Sequence, residues 1–272
     1  VNDVFLLDMK ILLFGATLIF LMGLWDDIRP LSASLKLLLQ ILISLFVILW
    51  GDIYITLFYG KSWASFINIP LTVLWIVGLT NALNFFDGID GLASGLSVVI
   101  AMFLGLIAFK TDQPALGWVA VTLLGASAGF IPYNFRIRSP ALVFLGDAGS
   151  TFLGFSLAVL AISGEWSDTS SFVSFTAPIL VFSILIFDMV YVNFSRIINR
   201  KAENILGLLT CVNKDHLHHR LLFLGFSRKE TVFVILTMST CLGFSALIVM
   251  NQKPLEAVLG LFQAFLILIL IV

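Results

Sequence analysis

The chain has 272 residues, 60% of them hydrophobic and only 11% charged, with a formal net charge of −1. Soluble domains carry roughly 25% charged residues, so this composition excludes a water-soluble globular protein and places the chain in a bilayer. No nucleic-acid partner is expected, and the two cysteines, Cys211 and Cys241, are too few and too far apart for a disulfide framework or a zinc cluster.

A hydrocarbon core about 30 Å thick takes about 20 mostly apolar residues per helix. On that length the sequence predicts nine spans, at 9–25, 35–58, 67–85, 92–110, 115–133, 142–162, 172–195, 231–250 and 255–272. The fold class is therefore all-α, a polytopic membrane protein with one catalytic domain over 1–272, since no repeat or linker divides the chain.

Between the spans, one side collects Arg29, Lys36, Arg136, Arg138, Arg196, Arg200, Lys201, Lys214, Arg220, Arg228 and Lys229. The other side collects Lys10, Lys61, Lys110 and Lys253. This asymmetry assigns the first set to the cytoplasm and the N-terminus to the opposite side. Residues 1–10 lack the pattern of a secretory signal, and the chain opens on Val1, so a preceding segment is expected. The outer connections are short. The inner ones, 26–36, 81–91, 134–150 and 196–230, hold the acidic, amide and histidine residues.

The first inner connection carries Asp26 and Asp27, then Arg29 and Lys36. Adjacent carboxylates at a membrane surface repel unless a cation or proton sits between them. Mg²⁺ suits such a pair, because it is held by one or two carboxylates together with substrate phosphates. A solvated Asp-Asp turn explains the pair equally well when it is taken alone.

The second reads Asn81-Ala-Leu-Asn84-Phe-Phe-Asp87-Gly88-Ile-Asp90-Gly91. Its amides and carboxylates, on backbone bent by glycines, could read a nucleobase or ribose and add to a metal site. A calcium loop fits less well, since it lacks the terminal acidic residue. The third runs from Arg136 through Phe144-Leu-Gly146-Asp147-Ala-Gly149-Ser150, with Asp147 at an expected helix start, where backbone N–H groups favour phosphate. A simple cap accounts for Asp147 alone, but not for a third carboxylate loop on the same side. The fourth, Lys214-Asp215-His216-Leu-His218-His219-Arg220, holds every histidine of the chain. It offers metal or phosphate contacts, with zinc disfavoured by the missing thiolates. Asp188 lies inside the seventh span, where an unpaired carboxylate is costly, so it faces a groove or pairs with a polar neighbour.

Taken in this order on one membrane face, the four motifs resemble those of the polyprenyl-phosphate N-acetylhexosamine-1-phosphate transferases of glycosyltransferase family 4. Asp215 to Arg220, with its His-Leu-His-His-Arg sequence, looks most like the undecaprenyl-phosphate GlcNAc-1-phosphate transferase branch. The phospho-MurNAc-pentapeptide transferases are the neighbouring alternative. The resemblance implies a Mg²⁺-dependent enzyme, with Mn²⁺ as the substitute ion. Such an enzyme moves sugar-1-phosphate from a UDP-amino sugar to a polyprenyl phosphate lipid, the first membrane step of cell-envelope glycan synthesis. It implies Asp26, Asp27 and Asp147 as catalytic residues, with Asp147 and Asp27 at the metal. Lys36, Asn81, Asn84, Asp87, Asp90, His216, His218, His219 and Arg220 are implied as substrate contacts, and a homodimer is a further partner option. The family also has two more helices ahead of the Asp-Asp helix. An ion-coupled transporter is the reading from another class, resting on Asp188, and it would require ionisable groups deep in several helices.

Overall fold

A computed structural model describes residues 3–56, 63–167, 171–198 and 215–269, and among these every regular element is a helix. In chain order they are α1 (Asp3–Ile28), α2 (Ala33–Gly51), α3 (Ala64–Phe86), α4 (Leu92–Lys110), α5 (Pro114–Asn134), α6 (Gly146–Ser163), α7 (Ser171–Val181), α8 (Ser183–Ile198), α9 (Leu217–Phe223), α10 (Arg228–Val249) and α11 (Pro254–Ile269). Seven of them, α1 to α6 and α10, are long and apolar enough to cross a bilayer, and the bent pair α7–α8 makes an eighth span if counted as one. The protein is a multi-pass membrane protein.

Local chemistry sets the helix ends. Ser32 caps α2 by accepting from the Leu35 N–H at 3.3 Å, and Pro114 opens α5, where its missing N–H costs nothing. A reciprocal Ser227–Glu230 capping box starts α10. Hydropathy carries the second span to residue 58, but α2 stops at Gly51 because Asp52 turns left-handed, with φ 49°. Hydropathy starts the sixth at residue 142, whereas α6 begins at Gly146, whose φ of +69° separates the apolar 141–145 stretch from the helix.

The seventh span, one helix over 172–195 by hydropathy, is broken at Phe182, and its halves meet at 80°. Pro178 lies in the last turns of α7, and the Ser183 hydroxyl donates to the Leu180 carbonyl at 2.7 Å, taking a bond the helix ladder would otherwise supply. The last span is short, 16 residues among those described.

Helix α6 is the hub, packed against α1 and α3. Both contacts need glycine. A Cβ on Gly23 would lie 2.6 Å from the Ala148 Cα, and one on Gly154 would lie 2.8 Å from the Thr80 Cα. Backbone meets backbone at both points, the close approach that small residues allow between membrane helices. These two contacts bring the ends of α1, α3 and α6 together on one face.

Between α2 and α3 the Gln40 and Asn81 side chains exchange hydrogen bonds, at 2.6 Å from Asn81 Nδ2 to Gln40 Oε1 and 3.3 Å in return. Asn81 Nδ2 also donates to the Val77 carbonyl at 2.7 Å. Asn81, implied as a substrate contact, thus has its amide occupied one turn below the loop. A double-mutant cycle of Gln40→Leu and Asn81→Leu should give a coupling of about 1 kcal/mol, within the range for polar pairs between membrane helices. A coupling near zero would show that the two amides act independently.

Candidate active site on the carboxylate face

The first inner connection is anchored by its own aspartates. Asp26, only 7% exposed, accepts from the Leu31 N–H and from the Lys36 ammonium, each at 2.6 Å. Lys36 also reaches Asp147 Oδ2 at 3.4 Å, so one cation from α2 lies between carboxylates of α1 and α6.

Asp27 does something the sequence does not suggest. Its two oxygens accept from the backbone N–H groups of Asp147 and Ala148, at 2.9 and 3.0 Å. It therefore caps α6 from another helix, satisfying donors that would otherwise be orphaned and placing negative charge at the positive end of α6. Gly146 permits the approach, since a Cβ there would sit 2.8 Å from Asp27 Oδ2. Asp147, expected at the helix start, is freed from capping.

The remaining Asp147 oxygen is fixed by Asn84, whose amide donates to Asp147 Oδ1 at 2.6 Å and to the Ser150 hydroxyl at 2.8 Å. Asn84, implied as a nucleotide contact, is thus an orienting partner of Asp147 in this structure. Asp87 follows at the end of α3. Burial, joined by the charges of Asp147, Asp27 and Asp90, pushes its carboxyl up to about 7 although the Gly146 N–H donates to it. Asp90 accepts from the Ala141 N–H at 3.2 Å, tying the second loop to the third. Asn134 makes the same tie more strongly. It accepts from the Gly91 N–H at 2.9 Å and the Ser94 hydroxyl at 2.8 Å, and donates to the Val143 carbonyl at 3.1 Å.

The fourth motif docks against the second. Short α9 carries His218, His219 and Arg220, with His216 immediately before it. The His216 ring stacks on Phe85 with centroids 4.8 Å apart, and its Nδ1 lies 2.6 Å from Asp188 Oδ2. Leu217 N–H donates to the other Asp188 oxygen at 2.6 Å, so the deep carboxylate has its polar partner. Arg220 lies over the Tyr191 ring at 4.2 Å and donates from Nε to the Asp215 carbonyl at 3.2 Å. His219 lies against His218, ring centroids 4.2 Å apart. Residues 199–214, including Arg200, Lys201, Cys211 and Lys214, lie outside the described residues.

His218 is 1% exposed, and neither ring nitrogen has a hydrogen-bond partner among the described residues. Burial, with the charges of His219 and His216, lowers it to about 3. Because the folded value lies below the ordinary 6.5, unfolding takes up a proton between those values. Stability held by neutral His218 is then full above about pH 6.5 and falls as the solution is acidified, by at most about 1.4 kcal/mol per pH unit. Thermal unfolding in nanodiscs from pH 7.5 to 5 should show this fall, and His218→Gln should flatten it. An equal slope in both would assign the acid sensitivity elsewhere.

Whether the face suits a divalent cation follows from its charges. Asp26, Asp27, Asp87, Asp90 and Asp147 gather there, and Lys36 bonds two of them. Burial is the main cause of the upward push on Asp87, and the neighbouring charges of Asp147, Asp27 and Asp90 add to it. Among the described residues no three acidic, histidine or cysteine side chains form a ready cage. Mg²⁺ needs none, since it is usually held by one or two carboxylates with waters and substrate phosphates filling its shell. Asp147 and Asp27, with lone pairs left on their oxygens, fit that partial role.

Comparison with known proteins agrees with the geometry. Residues 9–165, which include most of α1, all of α2 to α6 and the first three motifs, match the model for glycosyl transferase family 4. A probable undecaprenyl-phosphate N-acetylglucosaminyl 1-phosphate transferase of Bacillus subtilis is 33% identical over 262 residues, 94% of this chain and 69% of that protein. A phospho-N-acetylmuramoyl-pentapeptide-transferase of Clostridium botulinum is 31% identical over 256 residues, 87% of this chain and 74% of that one. A Staphylococcus haemolyticus protein of the same name is 35% identical over 175 residues, 56% of this chain and 52% of that one. With carboxylate, amide and histidine motifs brought to one membrane face and relatives aligned along nearly the whole chain, this protein belongs to glycosyl transferase family 4.

Proposed function

We propose that the protein transfers GlcNAc-1-phosphate from UDP-GlcNAc to undecaprenyl phosphate at the cytoplasmic face of the cell membrane, releasing UMP. The observation that carries this reading is Asp147: one carboxylate set in place by Lys36 from α2, Asn84 from α3 and, through its backbone, Asp27 from α1. Such convergence orients an oxygen ligand for phosphate chemistry, which depends on positioning and charge more than on covalent assistance. The Bacillus relative, named for GlcNAc-1-phosphate transfer to undecaprenyl phosphate, supports the choice of donor and acceptor.

In the proposed step an oxygen of the lipid phosphate attacks the β-phosphorus of the UDP-sugar. The bond from that phosphorus to the α-phosphate oxygen breaks, its electron pair leaves with UMP, and a polyprenyl diphosphate sugar remains. The attacking phosphate is largely ionised near neutral pH, so no side chain has to remove a proton. Lys36 places a positive charge beside Asp147 where diphosphate oxygens would collect. Arg220, paired with Tyr191 and the Asp215 carbonyl, keeps guanidinium donors for the same charge. Mg²⁺, with Mn²⁺ as its substitute, would be held by Asp147 and Asp27 and would offset charge on the diphosphate and the leaving UMP. Asp87 and Asp90 remain for the nucleotide and the sugar, whereas both ring nitrogens of His218 are sealed inside the fold.

The transporter alternative loses its main support, because Asp188 is engaged with His216 and Leu217. Donor choice is tested by UMP release from purified protein in detergent with undecaprenyl phosphate, offering UDP-GlcNAc, UDP-GalNAc or UDP-MurNAc-pentapeptide separately. Release highest with UDP-GlcNAc supports the proposal; release only with the pentapeptide substrate would transfer the assignment to the other branch.

A further inference from the structure

Asp188 is the most buried carboxylate described, 2% exposed, in the second turn after the break that separates α7 from α8. A carboxylate so placed is retained only where its charge is met by donors. Both of its oxygens are occupied, Oδ2 by His216 Nδ1 at 2.6 Å and Oδ1 by the Leu217 N–H at 2.6 Å. Because an ionised carboxylate only accepts, the short contact requires the proton on Nδ1. The imidazole is held in plane by this bond and on its face by Phe85, whose ring lies 29° from parallel.

From this geometry we propose that Asp188 is the positioning residue of the site, fixing His216 as the Nδ1–H tautomer. Nε2 is then the one ring nitrogen open to substrate. It has no hydrogen-bond partner among the described residues and is not among the sealed-off polar atoms. The same face of α8 supports the arrangement further along, where Tyr191 lies under Arg220 and Arg196 lies 3.8 Å from Asp215. The break at Phe182 matters because it sets the direction of α8, which aims Asp188, Tyr191 and Arg196 at the histidine segment. The part of this inference that concerns catalysis rests on the transferase reading above; the tautomer does not.

Asp188→Asn tests it with almost no change of shape. The amide oxygen it introduces can still accept from Leu217 N–H, but the amide nitrogen turns a donor toward His216, which then favours a proton on Nε2. With only three histidines in the chain, ¹⁵N-histidine labelling of the full protein in nanodiscs resolves each ring, and His216→Gln assigns the signal. We expect His216 as Nδ1–H in the unmodified protein and as Nε2–H in Asp188→Asn, with kcat lowered at least about 100-fold, as when a catalytic histidine is held in the wrong tautomer. Thermal stability should change little.

An Nε2–H ring in the unmodified protein would overturn the proposal without needing any variant to fold. So would an Asp188→Asn variant with unchanged tautomer and unchanged kcat. If the tautomers behave as expected but the unmodified protein transfers no sugar phosphate, the positioning role stands and the transferase reading falls.

Discussion

Asp147→Asn should lower turnover by at least about 1,000-fold, the scale of losing a principal charge-stabilising group in an active site, while leaving the protein folded. The substituted side chain keeps an oxygen that can accept from Asn84, which preserves the α3–α6 contact. Its amide nitrogen would instead face the Lys36 ammonium, now 3.4 Å from Asp147 Oδ2, and the negative charge would be gone. Lys36 would retain Asp26 at 2.6 Å. Lys36→Ala should be milder, about 10- to 100-fold, since it removes one positive charge and leaves the carboxylate in place. Rates measured at saturating lipid and nucleotide sugar, with a melting curve for each variant, make the comparison. Near-normal activity in both would remove Asp147 from the reaction.

Asp27→Ala should behave differently, because it damages the fold and the reaction together. It strips the acceptors from two backbone N–H groups at the start of α6. Loss of such a cap costs about 1–2 kcal/mol, which should lower the melting temperature by about 3–6 °C for a domain of this size. Asp147 sits in that first turn, so a shift of the order of 1 Å would cost about 100-fold in rate. Asp27→Asn should fall between, with one oxygen left to accept and an amide facing the second N–H. A melting temperature unchanged in Asp27→Ala would contradict the capping role. Loss of activity alone would point to Asp27 acting only at the metal.

Much of this site is legible in the sequence because its chemistry is concentrated in short polar loops between apolar spans. Asp26, Asp27, Asp87, Asp90, Asp147 and the histidine segment stand out where water-facing groups interrupt long hydrophobic runs, and the structure brings them to one face. The span at 92–110 agrees with α4 (Leu92–Lys110) because Gly91 and Thr111 border a uniformly apolar stretch.

Partnership is not legible in the same way. Asn81 and Asn84 have the same chemistry and lie one turn apart on one helix, yet one pairs with Gln40 and the other with Asp147, and only the packing of α2 and α6 decides which. Gln40 does carry a signal, since a lone amide within an apolar helix needs a partner. Asn134 carries none, because nothing local shows that Gly91 and Val143 come within its reach. The need of Asp188 for a partner is evident from its depth, but His216 lies 28 residues away and only the bend at Phe182 brings them together. Hydropathy misses that bend because both halves are apolar, although Pro178 and Ser183 mark it.

The most direct test of the central claim is the fate of the β-phosphate. UDP-GlcNAc labelled with ³²P at the β-position, incubated with the full protein, undecaprenyl phosphate and Mg²⁺, should send its label into the lipid fraction and leave UMP as the nucleotide product. Label remaining in water as UDP, with sugar on the lipid, would mean that sugar and not sugar phosphate is transferred, and would contradict the account.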